Sequence, residues 1–200
     1  MKSYAFATAI RVLSGASVRW TGAKPDVRQR IYFANHTSHL DAPLVWAALP
    51  AEVREFTLLT AANDYWSAGK LRYLLASRVF NAILIERGRF SYRNNPLTIL
   101  LGAMGDRYSL ILFPEGTRSG GSEIGEFRCG LYHLAKHRPE LELVPVYIAN
   151  LWRILPRGAL LPVPLLSSVS FGSPIRLQVD EPKTAFLERA RNAVRALKLE

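Results

Sequence analysis

Residues 31–48 read Ile31-Tyr32-Phe33-Ala34-Asn35-His36-Thr37-Ser38-His39-Leu40-Asp41-Ala42-Pro43-Leu44-Val45-Trp46-Ala47-Ala48. The first four residues form a short branched and aromatic run, the pattern of a buried strand, and Ala42 to Ala48 reads as a helix. A strand that passes through a polar turn into a helix is the repeating unit of an α/β sheet, and the same succession recurs outward from it. Further strands are expected at Phe56 to Thr60, Val79 to Ile85, Ser109 to Phe113, Leu141 to Ile148 and Ser168 to Phe171. Helices are expected at Trp66 to Ser77, Pro96 to Asp106, Gly130 to Lys136 and Pro182 to Leu199. This alternation predicts an α/β fold with a mostly parallel or mixed central sheet flanked by helices. Its chemistry should gather at loops leaving the carboxyl ends of strands. The three prolines between Pro156 and Pro164 predict an irregular stretch, and Gly120-Gly121-Ser122 reads as a loop tip.

At 200 residues, with 49% apolar and 21% charged residues, the chain has the length and composition of one folded domain. Disordered, collagen-like and disulfide-stapled classes are excluded. The single cysteine can form no internal disulfide, which fits a reducing compartment. A formal net charge of +10 calls for an anionic partner, and nucleic acid, a phospholipid surface or a phosphorylated small molecule would each satisfy it.

No uninterrupted apolar stretch is long enough to span a bilayer. Phe6, Ile10 and Leu13 fall at i, i+4 and i+7, with Lys2 and Arg11 beside them. An amphipathic helix is therefore expected over residues 1–22, ahead of a single domain over 23–200. That helix would lie in a membrane interface or dock on its own domain.

Three stretches carry candidate chemistry. In the first, His36 and Asp41 stand five apart. Inside one regular helix they would point about 140° apart, so they can meet only if His36 precedes the helix. With Ser38 as N-cap and Asp41 in the first turn, the carboxylate would fix the imidazole tautomer and the pair would act as a general base. The same residues also match a capping box, in which Asp41 serves only the backbone. In the second, Phe113-Pro114-Glu115-Gly116-Thr117-Arg118-Ser119 follows a strand directly. Gly116 permits close backbone approach, Thr117 and Ser119 offer hydroxyls, and Arg118 offers a fork suited to phosphate. Read blandly, Glu115 and Arg118 form an exposed surface pair. In the third, Ile83-Leu84-Ile85-Glu86-Arg87-Gly88-Arg89 emits arginines at a strand exit; Arg87 would join Arg118 around a phosphate, or be solvated there.

Together these blocks, with Val144-Pro145-Val146 later, resemble the glycerolipid acyltransferases, in particular the lysophosphatidic acid acyltransferases. The likeness is strong over residues 31 to 148 and looser to Ile175. It implies a single acyltransferase-type domain in which His36 deprotonates the acceptor hydroxyl and Asp41 orients it. It further implies that Arg87, Glu115, Gly116, Thr117 and Arg118 bind the acceptor on its phosphate side, while the Val144 block lines the acyl site. Glu86 stands where an aspartate is common. Phe127-Arg128-Cys129-Gly130 resembles the family's Phe-x-x-Gly segment, with Cys129 at a variable position and not a nucleophile.

The implied reaction moves a fatty acyl group from an acyl thioester to the free hydroxyl of a lysophospholipid, with lysophosphatidic acid giving phosphatidic acid as the expected case. A thioester carries a good leaving group, so a base, a positioned acceptor and oxyanion stabilisation suffice. No metal and no cofactor are needed beyond acyl-CoA or acyl carrier protein as co-substrate. The amides at the helix start after Ser38 are candidate oxyanion donors. Expected partners are the lysophospholipid acceptor, the acyl carrier and an anionic membrane surface, with no nucleic acid; the expected location is peripheral, on the cytoplasmic face of a membrane.

Other readings use fewer of the blocks. A lyso-ornithine lipid or another lyso-lipid would suit the same residues as acceptor. A non-catalytic basic membrane-binding module is the alternative of a different class. Cys129, His133 and His137 share a helix face at metal-ligand spacing, but three ligands from one stripe rarely close a tetrahedron. Tyr92-Arg93 and Trp152-Arg153 interleave aromatic and basic residues, yet no nucleic-acid motif accompanies them. No Gly-x-Ser-x-Gly elbow is present.

Overall fold

The computed structural model describes residues 2–63, 69–70, 74–75, 80, 82–85, 95–119, 123–151 and 167–198. In chain order the elements are α1 (Lys2–Leu13), β1 (Ser17–Trp20), β2 (Arg30–Ala34), α2 (Asp41–Ala48), α3 (Ala51–Arg54), β3 (Thr57–Ala62) and β4 (Ala82–Ile85). They continue with α4 (Pro96–Met104), β5 (Ser109–Leu112), α5 (Gly130–His137), β6 (Glu142–Ala149), β7 (Ser168–Phe171) and α6 (Lys183–Ala196). The expected helix at Trp66 to Ser77 and the proline stretch from Pro156 to Pro164 lie largely or wholly outside the described residues.

The strands form one sheet in the order β1-β7-β6-β2-β5-β3-β4. From β6 to β4 all neighbours pair in parallel. β7 runs antiparallel to β6, and β1 is parallel to β7, so the sheet is mixed as expected. Alternation along β2 feeds both faces. Ile31 and Phe33 enter a core with Leu100 and Met104 of α4, Leu131 and Leu134 of α5, and Phe186, Ala190 and Val194 of α6. Tyr32 and Ala34 enter the opposite core with α2, against which Phe6 and Ile10 of α1 pack. Burial on both faces explains why these strands read as near-continuous apolar runs.

Two expectations need correction. The helix expected over residues 1–22 ends at Leu13, and Ser17–Trp20 instead forms an edge strand beside β7. Trp20 lies flat on Phe171 there, with ring centroids 3.9 Å apart. Of the expected α1 face, Phe6 and Ile10 dock on the domain while Leu13 is exposed. The helix expected from Pro96 to Asp106 stops at Met104, because Gly105 turns out of it at φ +46°.

Pro145 sits inside β6, where a missing N–H would ordinarily cost a ladder bond. It falls where β7 leaves β6: regular pairing ends at Val146 with Phe171 and resumes only as a bridge between Leu143 and Ile175. Val144 and Val146, flanking it, are fully buried in the core.

Parallel pairing sends β2, β5, β3 and β4 out of the same sheet edge. The loop after β2 carries His36 and the loop after β5 carries Glu115 to Ser119. Since β2 and β5 are neighbours, with Phe33 level with Leu112, the two loops are brought together by topology alone.

Candidate active site

His36 leaves β2 two residues past its end. Its Nδ1 lies 2.8 Å from Asp41 Oδ2, and Asp41 is fully buried at the first position of α2. The same oxygen accepts from the main-chain N–H groups of Thr37 at 2.5 Å and Ser38 at 2.7 Å. The chain therefore curls around one carboxylate oxygen, which serves the imidazole and two main-chain amides together. Against expectation, Ser38 is not the N-cap. Leu40 occupies that position, and Ser38 Oγ accepts from the Leu40 N–H at 3.3 Å. The Asp41 N–H returns to the Ser38 carbonyl, also at 3.3 Å, so these two amides are not aimed at an oxyanion.

With Nδ1 facing a carboxylate, the neutral imidazole carries its proton there and its lone pair on Nε2, the nitrogen able to accept a proton. The ring also stacks on Phe113, centroids 4.4 Å apart, and its side chain is 17% exposed. The ring is thus oriented, partly shielded and still reachable.

The backbone of His36 is held as closely as its ring. Its N–H donates to Glu115 Oε1 at 2.8 Å, and its carbonyl accepts from the Ser119 N–H at 2.8 Å and from Ser119 Oγ at 3.0 Å. On the other side, the buried Asn35 amide donates to the Ile148 carbonyl at 3.0 Å and accepts from the Ile148 N–H at 2.8 Å. Asn35 so extends the pairing of β2 with β6 past Ala34 and delivers His36 to a fixed exit.

Glu115 is buried, at 5% exposure, and spends its other oxygen on the Gly125 N–H at 3.0 Å. Burial pushes its carboxyl above the usual 4.5, and the two amide bonds oppose that shift. The bland alternative, an exposed surface pair, does not fit a Glu115 carboxylate that is buried and clasps two main-chain amides. Gly116 sits at φ +72°, and a Cβ there would come within 2.7 Å of Arg128 Nε. Arg128 crosses the glycine to donate from Nε to the Glu115 carbonyl at 3.1 Å, and its N–H donates to the Pro114 carbonyl at 2.8 Å.

An open cleft of about 490 Å³ lies beside these loops, lined by Glu115, Thr117, Ser119, Gly125, Glu126, Phe127 and Arg128. His36 is not among its walls, but Glu115 and Ser119, which hold the His36 backbone, are. Of the residues singled out from sequence, His36, Asp41, Glu115, Gly116, Thr117 and Arg118 come together on these two neighbouring loops, and Arg87 lies outside the described residues. Asn35, Gly125 and Arg128 belong to the site as well; Asn35 and Arg128 stood within the quoted motifs without a role. Among the described residues no group of three or more His, Cys, Asp or Glu side chains is placed to hold a metal ion. His137 Nδ1 lies 2.9 Å from the His133 carbonyl instead of meeting Cys129 and His133 at a shared point.

Comparison with known proteins adds an independent line. The acyltransferase family model matches residues 18–149. The chain is 29% identical over 149 residues to a protein named Taffazin from Dictyostelium discoideum, which covers 68% of this chain and 50% of that protein. It is 28% identical over 167 residues to a 1-acyl-sn-glycerol-3-phosphate acyltransferase from Limnanthes alba, covering 82% of this chain and 56% of that protein. The chain thus spans about half the length of the curated relatives it matches. In fold it is similar to the crystal structure of the 1-acyl-sn-glycerophosphate (LPA) acyltransferase PlsC from Thermotoga maritima. The TM-score is 0.74 at 19% identity, over 98% of this chain and 76% of that one.

Proposed function

The chain belongs to the acyltransferase family, and from that membership we propose that it transfers a fatty acyl group from an acyl thioester to the free hydroxyl of a lysophospholipid, with lysophosphatidic acid as the acceptor. The observation that carries this reading is the His36–Asp41 pair at 2.8 Å, locked beside the loop that holds Arg118. His36 Nε2 takes the acceptor's hydroxyl proton as the oxygen attacks the thioester carbonyl. The tetrahedral intermediate collapses with loss of the thiolate, which takes the proton back from His36. Asp41 stabilises the imidazolium formed in between. The thioester is supplied as acyl-CoA or acyl carrier protein, and the residues require no metal and no further cofactor for this step.

Thr117 lines the cleft and Arg118 follows it on the same loop, and in this proposal they receive the acceptor phosphate, with Gly116 giving the ligand access to the main chain. Arg87 is proposed as a second cation at the phosphate from the family resemblance alone. The likeness to the Limnanthes alba enzyme supports lysophosphatidic acid over a lyso-ornithine lipid. The chain's net charge of +10 and the exposed Tyr4, Val12 and Leu13 of α1 support peripheral attachment to an anionic membrane, on its cytoplasmic face.

The test is transfer of a labelled acyl group to lysophosphatidic acid and, in parallel, to a monoacylglycerol that lacks the phosphate. The expected outcome is product with the phosphorylated acceptor, and an Arg118→Ala variant whose KM for that acceptor rises about tenfold or more. Equal use of both acceptors, or an unchanged KM, contradicts the phosphate assignment. Failure to acylate any lysophospholipid contradicts the reaction.

A further inference from the structure

The family resemblance assigns Glu115 to the acceptor, but the geometry gives its carboxylate a different task. Oε1 accepts from the His36 N–H at 2.8 Å and Oε2 from the Gly125 N–H at 3.0 Å, in a side chain only 5% exposed. These amides lie in separate segments, one leaving β2 and the other between β5 and α5. The far end is anchored. Ile124 and Phe127, on either side of Gly125, are buried in the core that holds Ile31 and Phe33. Arg191 of α6 donates to the Ile124 carbonyl from Nε at 3.1 Å and from Nη2 at 2.6 Å. Gly125 also has to be glycine for the contact to form, because a Cβ there would stand 2.7 Å from Glu115 Oε2.

We propose that Glu115 is a positioning residue and not an acceptor ligand: its carboxylate is a strut that fixes the main chain of His36 against the Gly125 loop, and through that loop against α6. The proposal rests on the acyltransferase reading for its catalytic consequence, but not for its geometry. Both oxygens accept, so glutamine is no conservative replacement. An amide offers one acceptor and one donor, and its NH2 would meet an N–H at one of the two ends. A strut acts on the alignment of the base with the reacting hydroxyl, where an error of the order of 1 Å costs about 10²-fold in rate. An acceptor ligand acts on binding.

The experiment compares Glu115→Gln, Gly125→Ala and the double variant, each checked for folding by thermal melting. Gly125→Ala breaks the strut from its far end, by pushing the carboxylate off the Gly125 N–H while keeping Glu115 itself unmutated, and so serves where Glu115→Gln does not fold. The strut predicts that each single variant lowers kcat by about 10²-fold with KM for the acceptor within about twofold. It also predicts that the double variant is no worse than either single one, since both remove one contact. A raised acceptor KM in Glu115→Gln with Gly125→Ala silent overturns the proposal in favour of acceptor binding, and additive losses overturn it as well. Amide hydrogen exchange supplies a readout independent of turnover. In Glu115→Gln, exchange at the His36 or Gly125 N–H, or both, must accelerate relative to the Leu110 N–H in β5. Unchanged protection at both refutes the strut, even in a chain that proves to acylate nothing, an outcome that on its own would refute only the acyltransferase reading.

Discussion

Asp41 gathers three donors on one oxygen: the His36 ring and the N–H groups of Thr37 and Ser38. The two roles should separate on substitution. Asp41→Asn retains a carbonyl oxygen for the amides but no charge for the imidazolium. It is expected to lower kcat by about 10²–10⁴-fold while costing about 1–3 kcal/mol of stability, read by turnover and by denaturant unfolding. Glu115 makes a second residue-scale prediction. Its folded pKa lies above 4.5 because of burial, so the folded chain holds this proton more tightly than the unfolded one. The stability tied to it is therefore full below pH 4.5 and declines as pH rises through the folded value. In Glu115→Gln that decline disappears, and a melting series from about pH 4 to 7 shows it as a flatter profile than the parent's. The spacing of His36 and Asp41 already narrowed the geometry to a helix start, because five residues cannot meet within one helix. The spacing left open whether Asp41 meets the backbone or the imidazole, and in the folded chain one oxygen meets both. The direction of the Glu115 carboxylate was illegible, since burial depends on the Gly125 loop, ten residues further on.

β2 is fastened to β6 at both ends. At its entry the buried Arg30 donates to Glu142 from Nε at 2.9 Å, and its Nη1 reaches the Lys24 carbonyl at 2.8 Å. At its exit Asn35 closes a two-bond ring with Ile148. Removing either clasp strands buried partners. Asn35→Ala leaves the Ile148 N–H and carbonyl unpaired and is expected to cost about 1–3 kcal/mol. Glu142→Ala leaves a buried guanidinium short of its counter-charge and is expected to cost about 3 kcal/mol. Chemical denaturation measures both. Only Asn35→Ala should also depress kcat, because only that clasp sits next to His36, the proposed base. The buried strands were readable from their branched and aromatic runs, and β7 was expected over the residues where it forms. β1 was missed because Ser17-Val18-Arg19-Trp20 is a four-residue edge strand whose identity comes from its pairing with β7, 151 residues away. The expected helix ran through it on the strength of an apolar face that ends at Leu13.

At the scale of the molecule, an open mixed sheet with helices on both faces turns the ends of β2 and β5 into one functional surface. The chain as a whole carries a formal net charge of +10. No helix among the described residues is long and apolar enough to cross a membrane. If the proposed peripheral attachment is electrostatic, flotation with vesicles containing anionic lipid should fall sharply between about 50 and 500 mM salt. Leu13→Glu should weaken binding further, by removing an exposed apolar group of α1. Salt-insensitive binding would indicate an apolar hold instead. Fold class and family were legible at this scale because strand and helix alternate and three ordered motifs stand at strand exits. The interface between chain and lipid was not, because net charge reports the sign of a partner and not its identity.

In the proposed reaction His36, aligned by Asp41, is the base for acyl transfer. The most direct test of that role is turnover of a labelled acyl thioester with lysophosphatidic acid by the parent chain and by His36→Ala, both shown folded by their melting curves. The expected result is product from the parent and a loss of at least about 10²-fold in the variant, with the melting temperature nearly unchanged. A folded His36→Ala chain that turns over at the parent rate would contradict it.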